Sequence, residues 1–281
     1  MNEMDTKLDQ LHQLLKSYNK VVVAFSGGVD SSFLAAVAKH NLGDKAIAVT
    51  ASSDSFTTGE LNECIALTTL IGIKHVILRT NEFDNPQFIA NTPQRCYFCK
   101  KERFTSLVKW AVSNGFDYII EGSNADDKAD YRPGMQAIAE LDEVKSPLLD
   151  VGLTKAEIRT LSKGWGLPTW NKPSAACMVS RLEYGLRITK DKLWQVEQAE
   201  NLIKQLCSGQ VRVRHHGQLA RIEVSPQNIQ KLTDAANIAL INEGFKKIGF
   251  TFVTLDLSGY RTGSMNETLD EEQKYGYGQS T

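Results

Sequence analysis

The stretch that decides the fold reads VVVAFSGGVDSS and runs from Val21 to Ser32. Its continuous apolar run predicts a buried strand, and the glycine pair after it predicts a tight loop that opens a helix. Glycines have no Cβ, so an anion can approach the backbone, and the first N–H groups of a helix attract phosphate. Ser31 and Ser32 add hydroxyl donors, and Asp30 can hold a metal ion or orient the loop. The stretch predicts a phosphate-binding loop; its ending differs from a Walker A loop, and an ordinary Gly-Gly turn at a helix cap is the alternative.

Composition sets the class of protein. The chain has 281 residues, 42% hydrophobic and 23% charged, which is typical of a globular protein with a substantial core. Lys and Arg number 32 against 33 Asp and Glu, so no overall charge favours a nucleic-acid or membrane partner. The N-terminal segment is too polar for a signal peptide, and no apolar run reaches the roughly 18 residues of a membrane span. We therefore expect a cytoplasmic protein.

Strand and helix patterns alternate in the first part of the chain. Leu8, Leu11, Leu14 and Leu15 predict a first helix that ends before Val21. Further apolar runs at 46–50, 75–78 and 118–120 predict strands, and patterns at 59–71 and 100–114 predict helices between them. Such alternation indicates βαβ units and a parallel sheet. Thr154 and Glu157 form a predicted capping box for a helix that runs to about Lys163.

The pattern changes after Gly185. It predicts a helix at 190–205, strands at 210–214 and 220–224 joined by a His216-Gly217 turn, a helix at 227–243 and a strand at 250–255. We therefore expect an α/β nucleotide domain over 1–185, a smaller α+β domain over 186–270 for substrate binding or oligomerisation, and a flexible tail over 271–281.

Further candidate nucleotide ligands follow the predicted strands, because open α/β sheets bind nucleotides beyond their carboxyl ends. Ser53 follows the second strand and is expected in the adenosine pocket. After the fourth strand, Gly122 allows close approach, Asp127 can hold Mg²⁺, and Arg132 can neutralise a phosphate. A solvated acidic loop is the alternative for this segment.

The cysteines are the second informative feature. Cys96 and Cys99 form a CxxC motif followed by Lys100, and Cys177 lies in the segment KPSAACMVSR. Three thiols suit a [4Fe-4S] cluster that keeps one iron open to an external ligand. A redox CxxC, a structural zinc completed by His or Asp, and unconnected thiols are the alternatives. The remaining two cysteines, Cys64 and Cys207, lie on helical faces and are expected in the core.

The segment Arg212-Val213-Arg214-His215-His216 is the third feature. Residues two apart in a strand face the same side, so Arg212 and Arg214 form a candidate clamp for a phosphate or carboxylate. With Ser180, Arg181 and Lys100 they are predicted to bind a phosphorylated small substrate. The alternative is a solvated edge strand. His215 and His216 as metal ligands, and Glu200 as a cation ligand, are weaker hypotheses; a surface position is the simpler expectation for Glu200.

These motifs together resemble the LarE family, and SGGVDSS by itself resembles the pyrophosphate loop of ATP-pyrophosphatases. The resemblance covers nearly the whole chain, and its segments are SGGVDSS, EGSNADD with DYRPG, KPSAAC with the following SR, Tyr184-Gly185, RVRHH, and TLDLSGYRTGSMNE at 254–267. It implies a parallel-sheet pyrophosphate-loop ATPase domain of the adenine nucleotide alpha hydrolase type. It also implies an ATP-dependent sulfur transferase that adenylates pyridinium-3,5-dicarboxylate mononucleotide and replaces AMP by sulfur, for the nickel-pincer cofactor of lactate racemase.

The resemblance also implies roles for individual residues. The family takes its sulfur from a sacrificed cysteine or from a three-cysteine [4Fe-4S] cluster, and Cys96, Cys99 and Cys177 match the second pattern. Implied catalytic residues are Cys177, Asp30, Lys100 and Arg181, and implied substrate-phosphate ligands are Ser180, Arg212 and Arg214. ATP and Mg²⁺ are expected at Ala24, Ser26, Gly27, Gly28, Asp30, Ser31, Ser32, Ser53, Gly122, Asp127 and Arg132. Expected partners are the mononucleotide and a sulfide source, in a homo-oligomer that is often hexameric in the family.

Three other functions compete with this one. A tRNA 2-thiolation enzyme also combines a pyrophosphate loop with three cysteines, but the chain has no extended basic stripe for RNA. An amidotransferase-type ATP-pyrophosphatase such as NAD or GMP synthetase would use ammonia and leave the cysteines idle. A non-catalytic ATP- or AMP-binding module would turn over no ATP.

Overall fold

The computed structural model describes residues 3–53, 55–129, 133–173 and 177–270. It divides into two compact units, of which the first contains Met1–Glu82 and Cys96–Ala175 and the second contains Phe83–Arg95 and Ala176–Thr281. The unit changes after Ala175, whereas the sequence pattern predicts the change near residue 185. No helix in the described ranges is long and apolar enough to cross a membrane.

The helices, in chain order, are α1 (Glu3–Ser17), α2 (Val29–Leu42), α3 (Thr58–Ile71), α4 (Pro86–Ile89), α5 (Arg95–Ser113), α6 (Pro133–Ala139), α7 (Pro147–Asp150), α8 (Lys155–Gly164), α9 (Lys190–Leu206), α10 (Ile229–Leu232) and α11 (Ala235–Ile248). The strands are β1 (Val21–Ala24), β2 (Ala46–Ser52), β3 (Lys74–Arg79), β4 (Tyr118–Ile120), β5 (Val144–Lys145), β6 (Val211–His216), β7 (Leu219–Val224) and β8 (Phe252–Leu255).

A five-stranded sheet forms the centre of the first unit. Its strand order is β3-β2-β1-β4-β5, and all neighbouring strands are parallel. The predicted parallel α/β fold is therefore confirmed. The sequence prediction missed β5, because a strand of two residues shows no period that could be recognised.

The central strand β1 is covered on both faces. Val21 and Val23 pack in one core cluster with Phe33 of α2, and Val22 packs in the other with Phe104 of α5. Successive side chains of a strand point to opposite faces, so a strand buried on both sides needs an uninterrupted apolar run. This requirement explains the valine run that precedes the glycine loop.

The second unit contains a three-stranded sheet in the order β6-β7-β8. Strands β6 and β7 are antiparallel, and β8 lies parallel to β7. Helices α9 and α11 contribute Ala199, Ile203 and Phe245 to its core. The expected smaller α+β domain is confirmed.

Three local predictions need correction. The helix predicted over 227–243 is interrupted, because the Asp234 side chain caps a new helix by accepting from the Ala236 N–H. The turn predicted at His216-Gly217 begins one residue later, since β6 continues through His216. Helix α5 begins at Arg95 rather than at Lys100, so the CxxC motif lies in its first turns.

Candidate nucleotide and thiol sites

The glycine loop connects β1 to α2 at the carboxyl edge of the sheet. The Phe25 N–H donates to the Val49 carbonyl oxygen at 2.9 Å, which ties the start of the loop to β2. The Ser31 hydroxyl lies 3.3 Å from both the Ser26 nitrogen and the Gly28 carbonyl oxygen. The loop is thus closed on itself at the N-terminus of α2, where free N–H groups favour an anion.

Two glycines at this edge are required by their surroundings. Gly27 has φ of +68°, in the left-handed region. A Cβ on Gly122 would lie 3.1 Å from the Asp30 Cβ and 3.1 Å from the Ser31 nitrogen. The segment after β4 therefore packs directly against the start of α2, as only glycine permits.

A cavity of about 410 Å³ opens beside the loop. The residues predicted to bind nucleotide or act in catalysis that line it are Ala24, Ser26, Gly28, Asp30, Ser31, Lys100, Gly122 and Asp127. Its apolar wall is formed by Val49, Ala51, Phe56, Phe104 and Leu107. A polar end beside a helix N-terminus and an apolar wall suit a nucleotide, whose phosphates and base differ in the same way.

Some predicted nucleotide ligands lie elsewhere. Gly27, Ser32 and Ser53 are described but do not line this cavity. Ser53 donates a hydrogen bond of 2.8 Å to the Glu82 carboxylate. Arg132 lies outside the described residues.

Asp30 is the acidic residue at the centre of the site. Burial raises the pKa of its carboxyl, while hydrogen bonding and charge from Lys155 lower it. The Lys155 ammonium donates to Oδ2 of Asp30. The other oxygen, Oδ1, is buried, and no described residue donates a hydrogen bond to it. The negative charge of Asp127 also raises the pKa of Asp30, and both residues line the cavity. Carboxylate oxygens are the protein ligands that a divalent cation such as Mg²⁺ prefers.

The sequence analysis did not recognise a buried carboxylate beside the CxxC motif. Glu82 is fully buried and pairs with Nε of Arg103, which lines the nucleotide cavity. The Cys99 Sγ lies 3.9 Å from the same Glu82 oxygen. Glu82 thus connects the loop after β3 to helix α5. Its carboxylate contacts both the Cys99 thiol and Arg103 of the cavity lining.

Lys100 is held in a close contact within the first unit. A Cβ on Gly134 would lie 2.6 Å from the Lys100 Cδ, so the lysine stem rests directly on the α6 backbone. This contact explains the glycine of the DYRPG segment. Lys100 itself lines the cavity.

The cysteines fall into two groups. Cys64 and Cys207 are buried, which confirms the expected core positions, and burial raises the pKa of the Cys64 thiol to about 11. Cys96 is exposed and Cys99 half-buried in the first unit, and Cys177 is exposed in the second. Among the described residues, no group of three or more His, Cys, Asp or Glu side chains is placed to hold a metal ion.

In the second unit, several predicted substrate ligands gather around Cys177. The Arg181 side chain donates to the Cys177 carbonyl oxygen at 2.8 Å and pairs with Glu200 at 2.9 Å. Arg214 contacts the Ser180 carbonyl oxygen at 3.4 Å and pairs with Glu223 at 2.7 Å. The structure thus brings Cys177, Ser180, Arg181 and Arg214 together.

Arg212 belongs to the same group. Its pKa is lowered by burial and by the positive charges of Arg181 and Arg214. Strand β6 lies at the edge of its sheet, but the alternative of a solvated edge strand does not hold, because Arg212 and Arg214 are both buried. Glu200 is also buried, so its expected surface position is wrong as well.

The histidines of β6 have local partners. His215 is buried against Phe250, and its Nε2 lies 3.0 Å from Oε1 of Gln195. Burial lowers the pKa of His215 to about 4. The His216 ring nitrogen Nδ1 lies 3.1 Å from the Glu183 carboxylate.

The first strand of this parallel α/β sheet leads into a glycine-serine loop at a helix N-terminus. The cavity beside the loop contains carboxylates and has an apolar wall that suits a nucleotide base. These features define a pyrophosphate-loop nucleotide-binding protein. Comparison with known proteins agrees, since residues 3–179 match the NAD synthase family model. The chain is 34% identical over 274 residues to the pyridinium-3,5-bisthiocarboxylic acid mononucleotide synthase of Lactiplantibacillus plantarum, covering 97% of this chain and 98% of that protein. The chain therefore belongs to the LarE family of ATP-dependent sulfurtransferases, within the NAD synthase class of folds.

Two other similarities are informative. An uncharacterized protein of Synechocystis is 42% identical over 266 residues, which cover 95% of this chain and 99% of that protein. The tRNA-specific 2-thiouridylase MnmA of Rickettsia peacockii is 29% identical over 193 residues, which cover 55% of this chain and 52% of that enzyme. Similarity to the thiouridylase is therefore partial, whereas similarity to the mononucleotide synthase extends over both units.

Proposed function

We propose that this chain activates a carboxylate of pyridinium-3,5-dicarboxylate mononucleotide with ATP and replaces the AMP by sulfur, for the nickel-pincer cofactor of lactate racemase. The similarity to the named synthase supports this substrate. The observation that favours sulfur over ammonia is helix α5, which bears Cys96 and Cys99 in its first turns. The same helix contributes Lys100 and Arg103 to the lining of the nucleotide cavity. The helix that carries the two thiols therefore also lines the proposed ATP site.

The first step forms an acyl-adenylate. A carboxylate oxygen of the substrate attacks the α-phosphorus of ATP, and pyrophosphate leaves with the electrons of the broken P–O bond. The loop N–H groups bind the phosphates, and Asp30 and Asp127 are the proposed ligands of the Mg²⁺ that accompanies ATP. Lys100 and Arg103 stabilise the negative charge that develops. In the second step a sulfur nucleophile adds to the acyl carbon and AMP leaves with the electrons of the C–O bond.

Binding of the substrate phosphate is proposed for the arginine group of the second unit. Arg181 and Arg214 are held by Glu200 and Glu223, and Arg212 is close enough to both arginines for their charges to lower its pKa. Three neighbouring guanidinium groups near Ser180 would bind a dianion strongly. This arrangement supports a phosphorylated substrate.

Cys96, Cys99 and Cys177 are the proposed ligands of a [4Fe-4S] cluster. The chemistry of the donors supports this proposal, because thiolates are the usual protein ligands of such clusters. Cys96 and Cys99 lie three residues apart and so share a face of α5, and Cys177 is exposed. Such a cluster, with three protein thiolates, supplies an iron that can hold an external sulfide. We also propose an external sulfide source and a homo-oligomeric assembly.

The test uses full-length protein prepared without oxygen. It is supplied with ATP, Mg²⁺, sulfide and the dicarboxylate mononucleotide, and AMP, pyrophosphate and thiocarboxylate are measured by chromatography and mass spectrometry. We expect all three products over many turnovers, with iron and sulfide bound to the protein. Cys96→Ser, Cys99→Ser and Cys177→Ser should each abolish thiolation and retain ATP binding, while Cys207→Ala, a buried control, should retain both. Full thiolation by any of the three serine variants would contradict the cluster, and thiolation of tRNA instead of the mononucleotide would contradict the substrate.

A further inference from the structure

The chain after β8 returns to the sheet of the second unit. Residues 256–265, here called the C-terminal strap, lie beside the end of strand β7. The Tyr260 N–H donates to the Val224 carbonyl oxygen at 2.9 Å. A Cβ on Gly259 would lie 2.7 Å from the same oxygen, and this residue has φ of +70°, so the strap approaches β7 as closely as only glycine permits. Backbone contacts therefore hold the strap against β7.

The strap meets a charged face of the β6–β7 pair. Arg212 is directly opposite Glu223, and Arg214 is directly opposite Arg221. Residues two apart in a strand, and residues directly opposite each other across a pair, point to the same face. The four side chains therefore form one charged face. The ring centre of Tyr260 lies 5.4 Å from the Arg212 guanidinium carbon, so the strap contacts the arginine group directly.

Ser264 joins the strap to two residues of this face. It is buried, with 3% of the residue exposed, and its hydroxyl accepts from Nη2 of Arg214 at 3.1 Å. The same hydroxyl donates to Oε1 of Glu223 at 2.8 Å. Glu223 accepts from the same Arg214 nitrogen through its other oxygen at 2.7 Å. Serine, arginine and glutamate thus form a closed ring of hydrogen bonds, which restricts rotation of the Arg214 guanidinium.

The ring leaves one nitrogen of Arg214 without an acceptor. Nη1 lies 3.4 Å from the Ser180 carbonyl oxygen, and Nη2 is bound to Ser264 and Glu223. Nε is buried, and none of the residues in the described ranges accepts a hydrogen bond from it. A buried N–H without an acceptor is costly, and an oxygen of a bound anion would supply one. The positive charge of Arg212, which acts on the same region, also favours an anion there.

We propose that Ser264 is a positioning residue for an anion site in the second unit. Its hydroxyl fixes the Arg214 guanidinium by accepting from Nη2 and donating to Glu223, so that the Nε–H is kept for an oxygen of a phosphate group. A hydroxyl can accept and donate at the same time, whereas an alanine side chain can do neither. The identification of this anion with the phosphate of the mononucleotide rests on the proposed function, but the positioning of Arg214 does not.

Inorganic phosphate is the probe for this site. Its binding to full-length protein is measured by calorimetry with Mg²⁺ and saturating α,β-methylene-ATP, which occupies the nucleotide cavity and cannot be cleaved to AMP. Ser264→Ala should bind phosphate about tenfold more weakly than wild type, because a charge-assisted hydrogen bond to the anion loses its orientation. Ser264→Thr, which keeps the hydroxyl, should stay within twofold of wild type. Ser258→Ala, at an exposed position of the same strap, is the matched control and should also stay within twofold.

A double-mutant cycle separates positioning from a structural role. Arg214→Lys alone should also weaken phosphate binding about tenfold, since lysine has no Nε–H in the guanidinium geometry. If Ser264 acts through Arg214, adding Ser264→Ala to Arg214→Lys should lower the affinity by less than a further twofold. Independent losses that multiply would overturn the proposal. So would tight binding in Ser264→Ala, weak binding in Ser264→Thr, or no measurable phosphate binding to wild type.

Melting temperatures show whether each variant is folded. Ser264→Cys, which is similar in size but bonds hydrogen only weakly, replaces Ser264→Ala if the alanine variant does not fold, and the same loss of phosphate affinity is expected. Full phosphate affinity in a folded Ser264→Cys protein would overturn the positioning role. The expected losses in a protein that thiolates no mononucleotide would retain that role and overturn only the proposed function.

Discussion

The Nζ atom of Lys172 lies 3.1 Å from the carbonyl oxygen of Gly27 in the phosphate loop. The carbonyl and the following N–H of a trans peptide point in opposite directions. A carbonyl that faces Lys172 therefore turns the Gly28 N–H away from it, and Gly28 lines the nucleotide cavity. Lys172 orients one of the backbone donors of the loop.

Replacing this lysine should weaken ATP binding without unfolding the protein. Lys172→Met removes a charged donor to the loop carbonyl, and such hydrogen bonds contribute about 1.5–3 kcal/mol, so we expect a loss of about tenfold or more in ATP affinity. Isothermal titration calorimetry measures it. Glu63→Gln is the matched control, because Glu63 holds the same ammonium from an exposed position and should matter little. Equal effects of the two substitutions would contradict the orienting role.

A second prediction concerns the close packing of Gly122 on Asp30. In Gly122→Ala the new methyl group would meet the Asp30 Cβ and the Ser31 nitrogen at 3.1 Å. Overpacking of this kind costs about 1–3 kcal/mol, and the displaced atoms belong to the loop and the start of α2. We expect weaker ATP binding and a lower melting temperature.

The control for Gly122 is another glycine of the first unit. Gly164 ends α8, and a Cβ there would meet no atom within 4 Å. Gly164→Ala should therefore leave ATP binding unchanged and raise stability by up to about 1 kcal/mol, because alanine loses less backbone entropy in a helix. A Gly122→Ala protein that binds ATP as tightly as Gly164→Ala would show that the loop does not depend on this contact.

A third prediction concerns Glu223, which is fully buried between Arg214 and Arg221. Glu223→Gln removes the charge that compensates the two guanidinium groups, and breaking a buried pair in this way costs about 3 kcal/mol or more. Urea unfolding should show the lower stability. Glu243→Gln breaks an exposed pair with Lys247 and should change the unfolding free energy by less than about 0.5 kcal/mol. Similar midpoints for both variants would argue against a stabilising charge network around Arg214.

The part of the fold predicted from sequence is the part governed by local rules. The valine run, the glycine pair and the Thr154–Glu157 capping box each depend on neighbouring residues, and the structure contains all three as predicted. The roles of Lys155, Lys172 and Glu82 were missed because their partners lie far away in sequence. Asp30, for example, is 125 positions from Lys155.

Glu200 shows that one long-range feature had a readable signal. In α9 the buried residues are Leu193, Val196, Ala199, Glu200 and Ile203, which recur at helical spacing. A carboxylate inside such an apolar stripe must find a cationic partner, and Arg181 provides it. The helical position therefore indicated burial, although the identity of the partner depended on the tertiary fold.

The last prediction is a pH dependence of stability caused by His215. Burial lowers the pKa of this histidine from 6.5 to about 4, with further lowering by the charges of Lys192 and His216. Between these two values the unfolded chain binds the proton and the folded protein does not, so stability rises with pH across this window. Stability is complete above about pH 6.5, and His215 alone should remove about 3 kcal/mol as the pH falls toward 4.

His215→Gln lacks this titration, so the difference in unfolding free energy between variant and wild type should shrink, or change sign, as the pH falls from 7 to 4.5. Urea unfolding at several pH values measures this difference. The carboxylates are common to both proteins, so their contributions cancel when the two free energies are subtracted. Leu257→Gln, which changes no titrating group at an exposed position, should run parallel to wild type over the same range. If the unfolding free energies of His215→Gln and wild type showed the same pH dependence, the buried neutral histidine would not cause a loss of stability in acid. His215 would then stabilise the protein only by its packing against Phe250.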